Sequence, residues 1–266
     1  FPKPFWNGQR GVTVLLEMEG GFGDQFHALR FAKLIASYDC KVIIGGCLPL
    51  APIMRQIEGI DTIVAHEGSK YMDFDFWVPS MSAVLPLGLE YSDLSGEAYI
   101  PRLCKSEGKI GVKWSGNPEF EHEQHRIFDA KLMFDALKDE DCIALQLDTP
   151  REGEKGNRGR DGETHNLVPA PEWMKKVVLG NWTHTQMAIS KCDLVVTSCT
   201  GVAHLAGAMG VETWVVVPIL PYFLWALPGN KTPHYDSVTL YRQEKYGCWK
   251  APFKKIKQDL LSRKVK

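Results

Sequence analysis

The chain has 266 residues, 44% of them hydrophobic and 24% charged, with a formal net charge of -1 at pH 7. That length holds one large α/β domain or two of ordinary size, and the balanced charge gives no reason to expect non-specific nucleic-acid binding or attachment to an anionic membrane. No apolar run approaches the roughly 18–20 residues that cross a bilayer, so integral membrane association is not expected.

The opening FPKPFWNGQR carries no signal-peptide core. Beginning at Phe1 rather than Met, the chain reads as a processed form or a fragment. Residues 11–17 (GVTVLLE) predict a buried strand, followed by a Gly-rich turn and a helix over about 24–38. CKVIIGG predicts a second strand, LPLAPIMRQI a short helix opened by Pro49, DTIVA a third strand and DFDFWVPS a fourth. After the polar stretch SDLSGEAYIPRLCKSEG the pattern restarts: KIGVKWSG is a strand, DAKLMFDALKD a helix and CIALQLD a strand. Residues 151–166, charged and Gly-rich, predict an exposed loop. TQMAISKC is helical, DLVVTS a strand, TGVAHLAGAMG a helix, VETWVVVP a strand, and FKKIKQDLLSRKV a basic amphipathic helix.

Alternating strands and helices that restart after a polar stretch point to α/β architecture with two Rossmann-like halves. The expected division is residues 1–105, residues 106–248, and a terminal helix over 249–266 that packs back on the first half. Ligand is then expected between the carboxyl ends of two parallel sheets.

Three strand-end turns carry candidate chemistry. In EMEGGFGDQFHALRF, Gly21 and Gly23 fit a dinucleotide fingerprint but Phe26 stands at its third glycine. Asp24, at the start of the helix, suits an N-cap or a general base, with Gly21 and Gly23 leaving room for substrate and, with His27 and Arg30 on the same rim, expected as acceptor-side residues. In DLVVTSCTGVAHLAGAMG no acid occupies the first helical turn. Unpaired N–H groups from Thr200 to about Ala203, spanning Gly201 and Val202, then make an anion site, with Ser198 and Thr200 adding hydroxyls and His204 a ring nitrogen. In KWSGNPEFEHEQHRIF, Ser115, Gly116 and Asn117 form a polar turn, and Arg126, or less favourably Lys113, reaches toward a phosphate. Each of the three also fits a routine strand-to-helix turn or solvated loop. His122 with His125, and Cys192 with Cys199, complete no recognised metal-ligand set.

The seven cysteines are odd in number and form no CxxC, which points to reduced thiols in a cytoplasmic protein.

Taken together, PFWNG, EGGFGDQFHALRF, LAPIMRQIEGID, KIGVKWSGNPE, HRIF, CDLVVTSCTGVAHLAGAMGVETWVVVP and TPHYDSVTLYRQ run in order along nearly the whole chain. In these segments it resembles the heptosyltransferase-like glycosyltransferases of GT-B fold, most of all the branch often fused to tetratricopeptide repeats. The resemblance implies inverting transfer of a sugar from a nucleotide diphosphate, with no metal or other cofactor. Asp24 matches the residue that deprotonates the acceptor hydroxyl. Thr200, Gly201, Val202 and His204 match the turn that holds the donor diphosphate, and Arg126 best matches the basic residue that neutralises it. The family usually has Asp immediately before that Thr, where this chain has Cys199, altering a donor-sugar or structural contact. A non-catalytic nucleotide-sugar-binding or scaffold module is the alternative. An ADP-linked donor is one candidate; the acceptor, whether glycan, protein, metabolite or modified nucleic acid, is not specified by the motifs.

Overall fold

A computed structural model describes residues 1–117, 123–147 and 168–264. The expected loop at 151–166 and the EFEH part of the third motif lie outside the described residues.

The first half contains strands β1 (Thr13–Glu17), β2 (Lys41–Gly46), β3 (Thr62–Ala65) and β4 (Phe76–Pro79), with helices α1 (Phe22–Ala28), α2 (Arg30–Ala36), α3 (Ala51–Met54) and α4 (His66–Ser69). Its strands pair in parallel in the order β3-β2-β1-β4. The single helix expected over 24–38 is two, because Ala32 N bonds to Leu29 O only three residues back and tightens the turn between them.

The second half contains β5 (Lys109–Lys113), β6 (Cys142–Ala144), β7 (Lys175–Lys176), β8 (Cys192–Ser198), β9 (Glu212–Val217) and β10 (Val238–Arg242), with α5 (Glu123–Arg126), α6 (Ala130–Leu137), α7 (Trp182–Ser190), α8 (Gly201–Ala208) and α9 (Lys250–Lys264). The six strands are parallel in the order β10-β9-β8-β5-β6-β7, which read from β5 outward is the 3-2-1-4-5-6 winding of Rossmann folds. Apolar side chains occupy both faces of β8 and β9 because helices cover both sides of a parallel sheet.

One core joins the halves. Leu16, Ile44, Phe26 and Leu29 from the first pack in the same cluster as Val202, Leu205, Val215 and Tyr235 from the second, with α1 and α8 forming the seam. On the far face of the second sheet, Met133, Leu137, Trp214 and Tyr241 meet Phe253, Ile256 and Leu260 of α9.

The terminal helix therefore packs on the second half rather than returning to the first. Phe253, Ile256 and Leu260 recur at helical spacing on one face, and burying each is worth about 1.5–3 kcal/mol. Its polar face adds Tyr241 Oη to Asp259 at 2.8 Å, Arg263 to Glu212 at 2.9 Å and Lys264 to Glu140 at 2.7 Å.

Candidate active site

In each sheet the winding reverses between two strands, β1 and β4 in the first and β5 and β8 in the second. Ligands of open α/β sheets bind outside the carboxyl ends at such points. Four segments converge there: Met18–Gly23 after β1, Ser80 after β4, Trp114–Asn117 after β5, and Cys199–Thr200 after β8. Glu19 ties the first pair together, its N–H donating to Ser80 Oγ at 3.0 Å and its carboxylate accepting from Met81 N at 2.8 Å.

Asp24 is the third residue of α1 rather than its N-cap, which is Gly21. One carboxylate oxygen accepts from Gly21 N at 2.8 Å and so caps the helix; the other accepts from Tyr222 Oη at 2.9 Å. Gly20, which the sequence reading passed over, is the residue this arrangement requires. Its φ is +69°, and a Cβ there would collide with the Asp24 carboxylate. Gly21 is less constrained, since a Cβ would lie 3.7 Å from that carboxylate. Gly23 serves the seam, where a Cβ would lie 2.8 Å from His204 Cδ2 and 3.4 Å from Gly201 Cα.

Thr200 is the N-cap of α8 and its side chain makes no cap hydrogen bond. Ala203 N, expected to be unpaired, donates to Thr200 O at 2.9 Å, so the donor positions are the earlier N–H groups of Gly201 and Val202. Val202 buries its side chain in the core and contributes backbone only. Two serines sharpen the site. Ser198 Oγ at the end of β8 and Ser115 Oγ just beyond β5 are both buried, and neither has a hydrogen-bond partner among the described residues. Buried hydroxyls left unpaired cost stability, so two at one strand-end crevice mark a place for a polar ligand.

Arg126 links the two turns, donating to Cys199 O and, at 3.3 Å, to Asn117 O, and it pairs with the buried Glu123. Gly116 lies flat against the guanidinium, where a Cβ would overlap it. Burial raises the Glu123 carboxyl while Arg126 pulls it back toward ionisation. Gln146 Oε1 accepts from Ser115 N at 3.1 Å and from Lys113 Nζ at 3.4 Å, so Lys113 supports the turn. Cys199, where the resembled family has an acid, carries a thiol pushed up to about 11 by burial, and so is neutral.

Three candidates do not lie where expected. His27 and Arg30, placed on the rim, are 5% and 9% exposed and sit inside the seam. His27 Nε2 is 3.1 Å from His234 Nδ1. Arg30 donates to His27 O, Ser95 O and His234 O and lies 4.9 Å from the ring centres of both Tyr99 and Tyr235. His204 Nδ1 is 3.1 Å from Tyr235 Oη, and its ring stacks on Trp225 rather than turning to the anion site. Burial holds His204 down at about 3, so it brings no positive charge. His27 on α1 and His204 on α8 turn toward each other across the seam, their ring centres 6.5 Å apart, while Arg30, the first residue of α2, is drawn inward by its bonds to His27 O and His234 O. Tyr222, Glu123 and Gly20 were missed. Only Gly20, in the run EGGFG, had a visible signal.

Among the described residues, no group of three His, Cys, Asp or Glu side chains is placed to hold a metal ion, and no helix is long and apolar enough to cross a membrane.

No family model and no curated protein matches the sequence. Solved structures do. The iron-containing dodecameric glycosyltransferase TibC from enterotoxigenic E. coli H10407 superposes with a TM-score of 0.57 at 12% identity, over 91% of this chain and 66% of TibC. E. coli ADP-heptose LPS heptosyltransferase II gives 0.54 at 10% identity, over 94% and 98% of the two chains. E. coli heptosyltransferase WaaC with ADP gives 0.54 at 11%, over 95% and 98%. The chain has the heptosyltransferase fold. Two parallel sheets facing a shared crevice are the GT-B arrangement that the sequence resemblance implied. The chain spans just under two thirds of the length of TibC.

Proposed function

We propose that this chain transfers a sugar from a nucleotide diphosphate to an acceptor hydroxyl with inversion. The observation that carries the reading is the pairing of unlike ends in one crevice. Asp24 stands on the first half, and on the second an uncapped helix N-terminus is flanked by the unpartnered hydroxyls of Ser115 and Ser198. Residues 1–105 then form the acceptor side and residues 106–248 the donor side.

Asp24 accepts the proton of the acceptor hydroxyl as that oxygen attacks the anomeric carbon. The bond from that carbon to the diphosphate breaks on the opposite face, which inverts the centre. Charge developing on the leaving diphosphate is met by the Gly201 and Val202 N–H groups, the two serine hydroxyls, Thr200 and Arg126. A carboxylate in the crevice opposes phosphate binding, so its value lies in the transition state rather than in the ground state. The step as written calls on no metal. Neighbours of the same fold are described with ADP and with an ADP-heptose, which supports an ADP-linked donor. A cytoplasmic location is consistent with free thiols at all seven cysteines.

The test is a donor panel followed by one substitution. ADP, UDP and GDP are titrated by thermal shift to find the nucleotide, since ligand binding raises apparent stability. Asp24→Asn is then assayed with its sugar and an acceptor screen. Transfer should fall by about 10³-fold or more while nucleotide affinity is kept; wild-type turnover in the variant removes Asp24 from the base role. Cys199 favours one rival, a binding module without turnover, because a neutral thiol stands where the resembled family has an acid. Donor binding by the wild-type chain with no transfer to any acceptor selects that rival.

A further inference from the structure

At the carboxyl end of the first sheet a second constellation lies outside the machinery proposed above. Cys47 follows β2 directly, His66 opens α4 after β3, and Glu17 ends β1. His66 Nδ1 is 2.8 Å from Glu17 Oε1, and Cys47 Sγ is 3.7 Å from His66 Nε2. Gln25, on α1, donates from Nε2 to Cys47 Sγ at 3.1 Å and accepts from Cys47 N at 3.2 Å.

These contacts form one consistent chain of donors. The carboxylate of Glu17 accepts only, so His66 carries its proton on Nδ1 and presents a bare Nε2 to the thiol. Cys47 Sγ faces that nitrogen, and the Gln25 amide donates to the sulfur. The backbone makes room for the group: a Cβ on Gly45 would collide with the Glu17 carboxylate, and one on Gly46 would lie 3.4 Å from Gln25 Oε1. Solvent reaches it too, since Cys47 is half-buried and the His66 side chain is 34% exposed.

The other thiols differ. Cys142, Cys192 and Cys199 are buried, and burial pushes them up to about 12, about 12 and about 11. Cys40 is buried and donates to the carbonyls of Gln9 and Tyr38. Cys104 is half-buried like Cys47, and Cys248 is exposed, which makes Cys248 the internal control for mere access.

We infer that Cys47, with His66 as its base and Glu17 orienting that base, is a nucleophilic thiol that undergoes exchange with low-molecular-weight disulfides. His66 Nε2 takes the thiol proton. The thiolate attacks one sulfur of the small disulfide, forming a Cys47 mixed disulfide as the old S–S bond breaks, and the departing thiolate takes the proton back from His66. Exchange fits this geometry better than acyl transfer. It needs a thiolate, access and a proton carrier, whereas acyl transfer needs donors for a carbonyl oxygen, and the Gln25 amide is held on the sulfur itself.

The experiment treats the reduced native chain with oxidised glutathione at neutral pH and follows each cysteine by peptide mass spectrometry. Cys47 should form its mixed disulfide about tenfold or more faster than Cys248. His66→Gln should reduce the Cys47 rate to that of Cys248, with the fold checked by circular dichroism, and Glu17→Gln should fall between the two. Wild-type Cys47 reacting no faster than Cys248 overturns the assignment, whatever the variants do. A folded His66→Gln protein that keeps the wild-type rate overturns the role of His66 as base.

Discussion

Tyr222 Oη donates to Asp24 Oδ1 at 2.9 Å, joining the loop after β9 to the first turn of α1 across the crevice. Burial and the Asp24 charge both push the phenol up, so Tyr222 stays protonated and remains a donor. The bond holds the Asp24 carboxylate in place, and its loss leaves the proposed base less well held. Tyr222→Phe should lower kcat about tenfold, from a charge-assisted bond worth about 1.5–3 kcal/mol, with nucleotide affinity kept. The check is turnover and nucleotide Kd measured on both proteins. Wild-type turnover in the variant would show that this bond does not position Asp24.

The seam between α1 and α8 depends on two glycines, but not equally. A Cβ at Gly23 would lie 2.8 Å from His204 Cδ2, inside any contact that real side chains make, while one at Gly201 meets Trp182 at 3.3 Å and Gly23 N at 3.5 Å. His204 cannot retreat, being stacked on Trp225 and bonded to Tyr235. Gly23→Ala should therefore cost about 1–3 kcal/mol of unfolding free energy, and Gly201→Ala less. Urea denaturation of the two variants gives the order; a larger loss for Gly201→Ala would mean that the helices part more easily than this packing implies.

Much of this was legible in the sequence, for identifiable reasons. Strands such as VETWVVVP are apolar on both faces, so a parallel, helix-covered sheet follows from composition alone, and the acid-free turn TSCTG announces its open helix N-terminus. What stayed hidden depends on side-chain direction across the seam. Nothing local in EGGFGDQFHALRF tells that His27 and Arg30 turn inward to His234 and Tyr235, which lie some two hundred residues on. The same holds for Tyr222 on Asp24. The apolar face of α9 was legible as amphipathic spacing, but the surface it covers, beside α6 and β10, depends on tertiary packing that the segment itself does not carry.

Arg126 and Gly116 form a second unequal pair. The guanidinium reaches the turns after both β5 and β8 only because Gly116 leaves it the space. Arg126→Ala should weaken binding of the preferred nucleoside diphosphate about tenfold or more, the worth of one charge-assisted contact. Gly116→Ala should reproduce much of that loss by displacing the side chain while its charge is kept. Isothermal titration of both variants is decisive. If Gly116→Ala binds as tightly as wild type, the position of Arg126 is not what the nucleotide requires.

The buried histidines give the protein an acid limit. His27 is held well below its usual range of 6.5, His234 down to about 4 and His204 to about 3; burial is the main cause in each, reinforced by the Arg30 charge and, for His27 and His204, by their histidine neighbours. Unfolded, all three take up protons near pH 6.5, so below that value the unfolded state binds more protons than the folded one. Stability is then fully present above pH 6.5 and falls as the pH drops through the window toward 4. Each histidine contributes a slope of up to about 1.4 kcal/mol per pH unit once its unfolded form is fully protonated. Between pH 6.5 and 5, above the range of ordinary carboxylates, unfolding free energy from urea titrations should decline steadily. His234→Asn keeps an acceptor for His27 Nε2 but removes one titrating group, and the slope should shrink by about a third, one of three equal terms. A variant with the full wild-type slope would show that His234 is not among the groups that set this limit.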